Sequence, residues 1–194
     1  MDTDQIDVLS RHPVPRHRLT VADYHRLGEA GILDEDDRVE LIRGELIEMT
    51  PIGSRHAESL RRLHRALAAV VGDRAVIAVQ DPLGLVDSEP QPDLMLLSPL
   101  PGGYWECHPG PEDVLLVVEV ADTTARYDRE IKVPLYAEVG VREAWLIDLV
   151  AGCVQVHREP SAHGYRSIIV LRAGDTVAPA AFPEAVVEVA PLLG

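Results

Sequence analysis

A chain of 194 residues, 46% hydrophobic and 26% charged, has room for one globular domain with a sizeable core. Its formal net charge of −14 excludes non-specific nucleic-acid binding over the whole surface and leaves only a local basic cleft for such contacts. No stretch is long and apolar enough to span a bilayer, and the opening MDTDQIDVLS lacks a signal-peptide core, so a cytoplasmic protein without membrane contact is expected.

Residues 1–18 are polar, contain Pro13 and Pro15, and are expected to form a flexible N-terminal arm; the domain proper runs over 19–194. Residues 19–33 read as a short helix with Thr20 as N-cap, ended near Gly31. In DRVELIRGELIEM, two apolar runs flank Arg43-Gly44, a two-residue turn signal, so a β-hairpin is predicted. Ser54 is positioned to cap a helix over 55–71, whose Leu60, Leu63, Leu67 and Val70 recur at helical spacing before Gly72. Strands are predicted at 74–80, 93–97 and 113–121, the last two separated by the Gly/Pro-rich loop SPLPGGYWECHPGPE. A helix follows over 128–140, with Pro134 tolerable only in its first turns or at a kink. Strands at 143–149 and from Cys153, and further β structure through AVVEVAPLL, complete the chain. Cys107 and Cys153 have neither disulfide-framework density nor metal-knuckle spacing. The order helix, three strands, helix, strand favours a layered α/β sheet with appended β-hairpins.

Glu119 poses a problem within that pattern. It interrupts the apolar run DVLLVVEVA, and a carboxylate in a buried strand is costly unless its charge is compensated. Asp93 opens the neighbouring strand, and two carboxylates on adjacent strands can converge on one divalent cation, hard oxygen being what magnesium requires. Lys132 follows thirteen residues after Glu119, in the first turns of the helix leaving that strand. It is the single lysine among 18 basic residues, the other 17 being arginine. A position needing a compact, titratable ammonium would resist that general exchange for arginine. Acid, acid and lysine around a metal make a set for phosphodiester hydrolysis, in which the metal activates water and the lysine orients it. The structural alternative is an ion pair of Asp128 with Lys132 at i, i+4 spacing and an Asp93 that merely opens a strand.

The segments PQPDLMLL, VVEVADTTARYDREIKVPLYAEVG and VREAWLIDL resemble the Uma-two family of the PD-(D/E)XK, or restriction-endonuclease-like, superfamily. With VELIRGELIEMTP and the His56 helix, the resemblance covers about residues 19 to 192. It implies a restriction-endonuclease-like core and an Mg2+-dependent (or Mn2+-dependent) nuclease site. In that site Asp93 is the first acid, Glu119 the second, and Glu40 a third ligand or the holder of a water. The superfamily's usual lysine falls two residues after the glutamate, where this chain has Ala121, so Lys132 is a migrated lysine. Asp122 is expected to cap the next helix or to support the ligands from behind.

His56 is placed to contact metal or phosphate, or to cap its helix. Arg55, Arg61, Arg62 and Arg65 make the same helix locally basic; Arg61 and Arg65 are the candidate phosphate contacts. Tyr104, Trp105 and Cys107 form either a base-stacking lip or a satellite cluster. The reading is a Mg2+-dependent endonuclease acting on DNA, with a homodimer as a further possibility. Its rival is a weak or inactive nuclease-fold protein that binds nucleic acid or protein.

Overall fold

The computed structural model describes residues 15–34 and 36–194; most of the arm expected at 1–18 lies outside the described residues. The chain folds into a six-stranded mixed sheet with helices on both faces. Helix α1 (Val21–Glu29) starts at a capping box, in which the Thr20 hydroxyl accepts from the Asp23 amide and the Asp23 carboxylate accepts from Thr20. Strands β1 (Val39–Ile42) and β2 (Glu45–Glu48) form the predicted hairpin. Both turn residues, Arg43 and Gly44, have positive φ (50° and 77°), as a two-residue hairpin turn of matching twist requires.

Helix α2 (Ser54–Val71) begins one residue earlier than expected. Gly53, with φ −76° and ψ 161°, occupies the N-cap, and Ser54 is the first helical residue and not the cap. Strands β3 (Val76–Ala78), β4 (Leu94–Leu97) and β5 (Val114–Ala121) follow as an antiparallel set. β3 is shorter than predicted because Gln80, at φ +57°, turns the chain out of the ladder. Asp93 stands just before β4, not in it, and its carbonyl accepts from the Gln80 amide.

The crossover after β5 is helical from Ala125, three residues before the predicted start. It runs as α3 (Ala125–Tyr127), a π-helical turn (Asp128–Lys132) and α4 (Val133–Glu138). Pro134 explains the widened turn: it offers no N–H and its ring obstructs the regular ladder, and the Val133 amide instead reaches the Asp128 carbonyl five residues back. The crossover leads to β6 (Glu143–Asp148), parallel to β5. Strands β7 (Cys153–Ser161) and β8 (Gly164–Leu171) add antiparallel to it. A small pair, β9 (Thr176–Val177) with β10 (Val187–Glu188), precedes a terminal helix, α5 (Ala190–Leu193). The last residues, expected as β structure, turn helical where Pro191 enters the first turn.

Side chains alternate between the faces of the sheet. Leu116, Val118 and Val120 pack with Leu60, Leu63 and Leu67 of α2, whereas Val117 packs with Tyr136 of α4. Period-2 alternation therefore turns Glu119 toward the α4 side. The core order of helix, three strands, helix and strand is the one expected.

Candidate active site

The buried acids meet at one end of the β4–β5 pair, where a cavity of about 440 Å³ opens. Glu40, His56, Asp93, Glu119, Asp128 and Lys132 all line it. β5 supplies Glu119, the segment leading into β4 supplies Asp93, the hairpin supplies Glu40, α2 supplies His56, and the π-helical turn supplies Asp128 and Lys132.

Lys132 is only 4% exposed. Its ammonium donates to Glu119 Oε1 at 2.9 Å, approaches Glu40 Oε2 at 3.3 Å and donates to the Gln91 carbonyl at 3.4 Å. Three acceptors match the three N–H bonds of an ammonium. Burial alone would discharge this lysine, but Glu119, Glu40 and Asp128 outweigh it and hold its pKa above the usual lysine range. Asp128 accepts from the Thr124 hydroxyl at 2.6 Å and makes no ion pair with Lys132. The expected alternative, an Asp128–Lys132 bridge, is not formed.

Glu119 accepts at the same Oε1 from the Tyr136 hydroxyl at 2.5 Å. Both of its hydrogen bonds fall on Oε1, and Oε2 accepts none from the described residues. Burial pushes the Glu119 carboxyl up to about 8, with Asp93 and Asp128 adding to the rise and Lys132 and Tyr136 opposing it. Burial likewise pushes Asp128 to about 6. Six carboxylates (Glu40, Glu48, Asp93, Glu119, Asp122 and Asp128) line the cavity with one buried ammonium, Lys132, and one guanidinium, Arg38.

Asp93 is held on both oxygens. Oδ2 accepts from the Val120 amide at 2.8 Å, and Oδ1 takes His56 Nε2 at 2.9 Å, with Gln80 Nε2 farther off at 3.4 Å. The bond to Asp93 raises the His56 pKa against the opposing effect of burial. Glu40 accepts from the Gln91 amide at 3.1 Å and the Tyr127 hydroxyl at 3.2 Å, so the appended hairpin is stitched to the site. Asp122 pairs with Arg55 at 3.1 Å instead of capping a helix.

Sequence reasoning missed Gln91, Tyr127, Asp128 and Tyr136 as parts of this cluster. Tyr136 had one available signal, its position four residues after Lys132 on the same helical run. Arg61 and Arg65 are not in the cavity; both face a neighbouring groove, with Arg61 paired to Glu58 of its own helix at 2.9 Å. Trp105, 92% exposed, sits in the loop joining the opposite ends of β4 and β5, so no lip over this cavity is formed.

Among the described residues no group of three or more His, Cys, Asp and Glu side chains is gathered as a cage for a metal ion. The donor chemistry nonetheless fits magnesium, which keeps several waters and takes one or two carboxylates together with substrate phosphate. Asp93 and Glu119 are the two carboxylates at this cavity that such an ion would take.

The family model Uma2, described as "Putative restriction endonuclease", matches residues 21–190. No curated protein matches the chain. Among solved structures the chain is similar to one from Anabaena variabilis, described as "a putative nuclease belonging to DUF820". The TM-score is 0.71 at 15% identity, over 90% of this chain and 97% of that one, a likeness of fold.

Proposed function

The chain belongs to the Uma2 family, and on that premise we propose a magnesium-dependent endonuclease that hydrolyses DNA phosphodiester bonds in the cytoplasm, carried by one domain over residues 19–194. The observation that supports it most is the lone lysine. Lys132 comes from a separate helix, is almost wholly buried, and lies 2.9 Å from Glu119. Asp93 faces the same cavity.

In this reading Asp93 and Glu119 would hold the ion, which as magnesium or manganese would supply a Lewis acid for the scissile phosphate. Lys132, by giving up its longest contact, the 3.4 Å bond to the Gln91 carbonyl, would turn one N–H toward the attacking water and face the charge that develops on phosphorus. Tyr136 fixes the rotamer of Glu119 by its hydrogen bond. Glu40, engaged by Lys132, Gln91 and Tyr127, acts as a positioning residue for the ammonium more readily than as a third ligand. His56 orients Asp93 and offers an N–H to phosphate.

The test is cleavage of single-stranded DNA and of plasmid and linear duplex DNA with magnesium, with manganese and with chelator. Strand breaks that need either ion and vanish in Asp93→Asn support the reading. One observation favours a second: both Asp93 oxygens already carry hydrogen bonds, which a ligand to metal must share. Salt-dependent DNA binding with no cleavage in either ion would make the chain a binding or regulatory member of the fold.

A further inference from the structure

A second concavity of about 640 Å³ lies beside the acidic cavity and shares Ile52 and Gln80 with it. Its wall is one face of α2, and its floor includes Ile52, Leu60, Ala68 and Val79. Ile52 and Val79 are 37% and 39% exposed, an apolar surface directly next to a charged site. The rim is cationic, with Arg61, His64 and Arg65 in a chain of net charge −14. Arg65 and His64 enter no ion pair among the described residues, and the Arg61–Glu58 pair is exposed and readily exchanged.

We propose that this groove receives an unstacked nucleotide next to the scissile phosphate, its base on the apolar floor and its phosphate on Arg65 and Arg61. The inference rests on the nuclease reading of the adjacent cavity and assigns the substrate as single-stranded DNA or a single-stranded flap. The reason is geometric. In a duplex the faces of the bases are covered by stacking, and only their edges and the phosphates meet the protein. An apolar concavity continuous with the site can be filled by a base only after that base leaves the stack. Extrusion from a duplex costs a few kcal/mol, whereas a strand already single pays little. A groove built only to grip phosphates needs the arginines but not Ile52 and Val79.

The experiment reads binding without turnover, in the Glu119→Gln background, by anisotropy of a short fluorescein-labelled oligonucleotide, single-stranded or annealed to its complement. The single strand is expected to bind at least about tenfold more tightly, the lower end of what base extrusion costs. Ala68→Trp fills the groove from an exposed helix position and should weaken the single strand by about tenfold while leaving duplex binding as it was. Arg65→Ala should lower the magnitude of the salt slope for the single strand by about 0.7, one phosphate contact. Val79→Asp provides a second block from β3's side should Ala68→Trp fold poorly, and thermal melts verify both. Equal affinity for duplex and single strand, or full affinity in both blocked variants, overturns the proposal. Binding with these signatures but no cleavage by the unmodified chain keeps the groove and sinks the nuclease reading; duplex cleavage indifferent to both blocks does the reverse.

Discussion

Two glutamates are buried in neighbouring parallel strands of this sheet, and they are treated differently. Glu143, at the start of β6 and fully buried, receives a complete set of donors. Its Oε1 accepts from Trp145 Nε1 and from both Nε and Nη2 of Arg158, and its Oε2 accepts from the Ala180 amide. Glu119, near the end of β5, receives two donors on one oxygen and none on the other among the described residues, with further carboxylates crowded round it. A structural carboxylate is paired one-to-one by a planar arginine fork; this other one is left under-supplied, its pKa raised, beside an open cavity. Such an arrangement costs stability and is what a cation or a reacting group would relieve.

Changing one member of each ion pair should break the comparison most visibly. Lys132→Arg keeps the charge but puts a wide, non-titrating fork where three acceptors fit a compact ammonium. Cleavage should fall by about 10²–10⁴-fold, the usual worth of a positioned proton-handling group, as judged by single-turnover assays. Arg129→Lys, whose partner is Asp148 away from the cavity, should cleave as the parent does. At the other site the stability changes instead. Glu143→Gln leaves the Arg158 guanidinium half-buried without its counter-charge and should cost about 3 kcal/mol in urea unfolding, with the cleavage rate per folded molecule unchanged. A Glu143 variant as stable as the parent would remove the contrast.

This contrast was only partly legible in the sequence. Asp93, Glu119 and Lys132 were readable because each breaks a local rule: an acid beside proline at a strand entry, an acid inside an apolar run, a lysine in an arginine-rich chain. The element order was readable because periodicity changes cleanly between 3.6 and 2. The donors were not, since Gln91 acts through its backbone and Tyr127 and Tyr136 through a turn whose width depends on Pro134. The Glu143–Arg158 pair depends on the register of β6 against β7, which no local pattern specifies. The phosphate role expected for Arg61 and Arg65 remains a proposal, because α2 turns them to the neighbouring groove and brings His56, from its first turn, to Asp93.

The two environments also set the pH response. The raised carboxyls of Glu119 (about 8) and Asp128 (about 6) bind protons in the folded chain that the unfolded chain, near 4.5 and 3.8, has released. Their contribution is therefore fully present below the unfolded values and is lost as pH rises through the folded ones. Metal-free chain should lose about 1–2 kcal/mol between pH 6.5 and 8.5, seen as a falling Tm, with magnesium flattening the fall. Buried His157, lowered to about 4 by burial and the Arg129 charge, acts oppositely and only below its unfolded value of 6.5, where stability is lost as pH falls. A Tm that rises between pH 6.5 and 8.5 in chelator would contradict the crowding of the acids.

The smallest expected effect is the most discriminating. Glu119→Gln holds the position uncharged, as its proton does below about 8 in the metal-free chain, and keeps an oxygen for Tyr136 and Lys132. In chelator at neutral pH both side chains are uncharged and nearly the same shape, and stability should stay within about 1 kcal/mol of the parent. With magnesium present the parent should gain stability by mass action while the variant gains little, because the better ligand is gone. Calorimetric titration then separates two causes that one melt confuses. A variant that keeps the parent's magnesium affinity means Glu119 is an ion-pair partner only, and its likeness to Glu143 is restored. Loss of that affinity with the fold intact makes Glu119 a ligand, and the under-supplied carboxylate is the one that carries the chemistry.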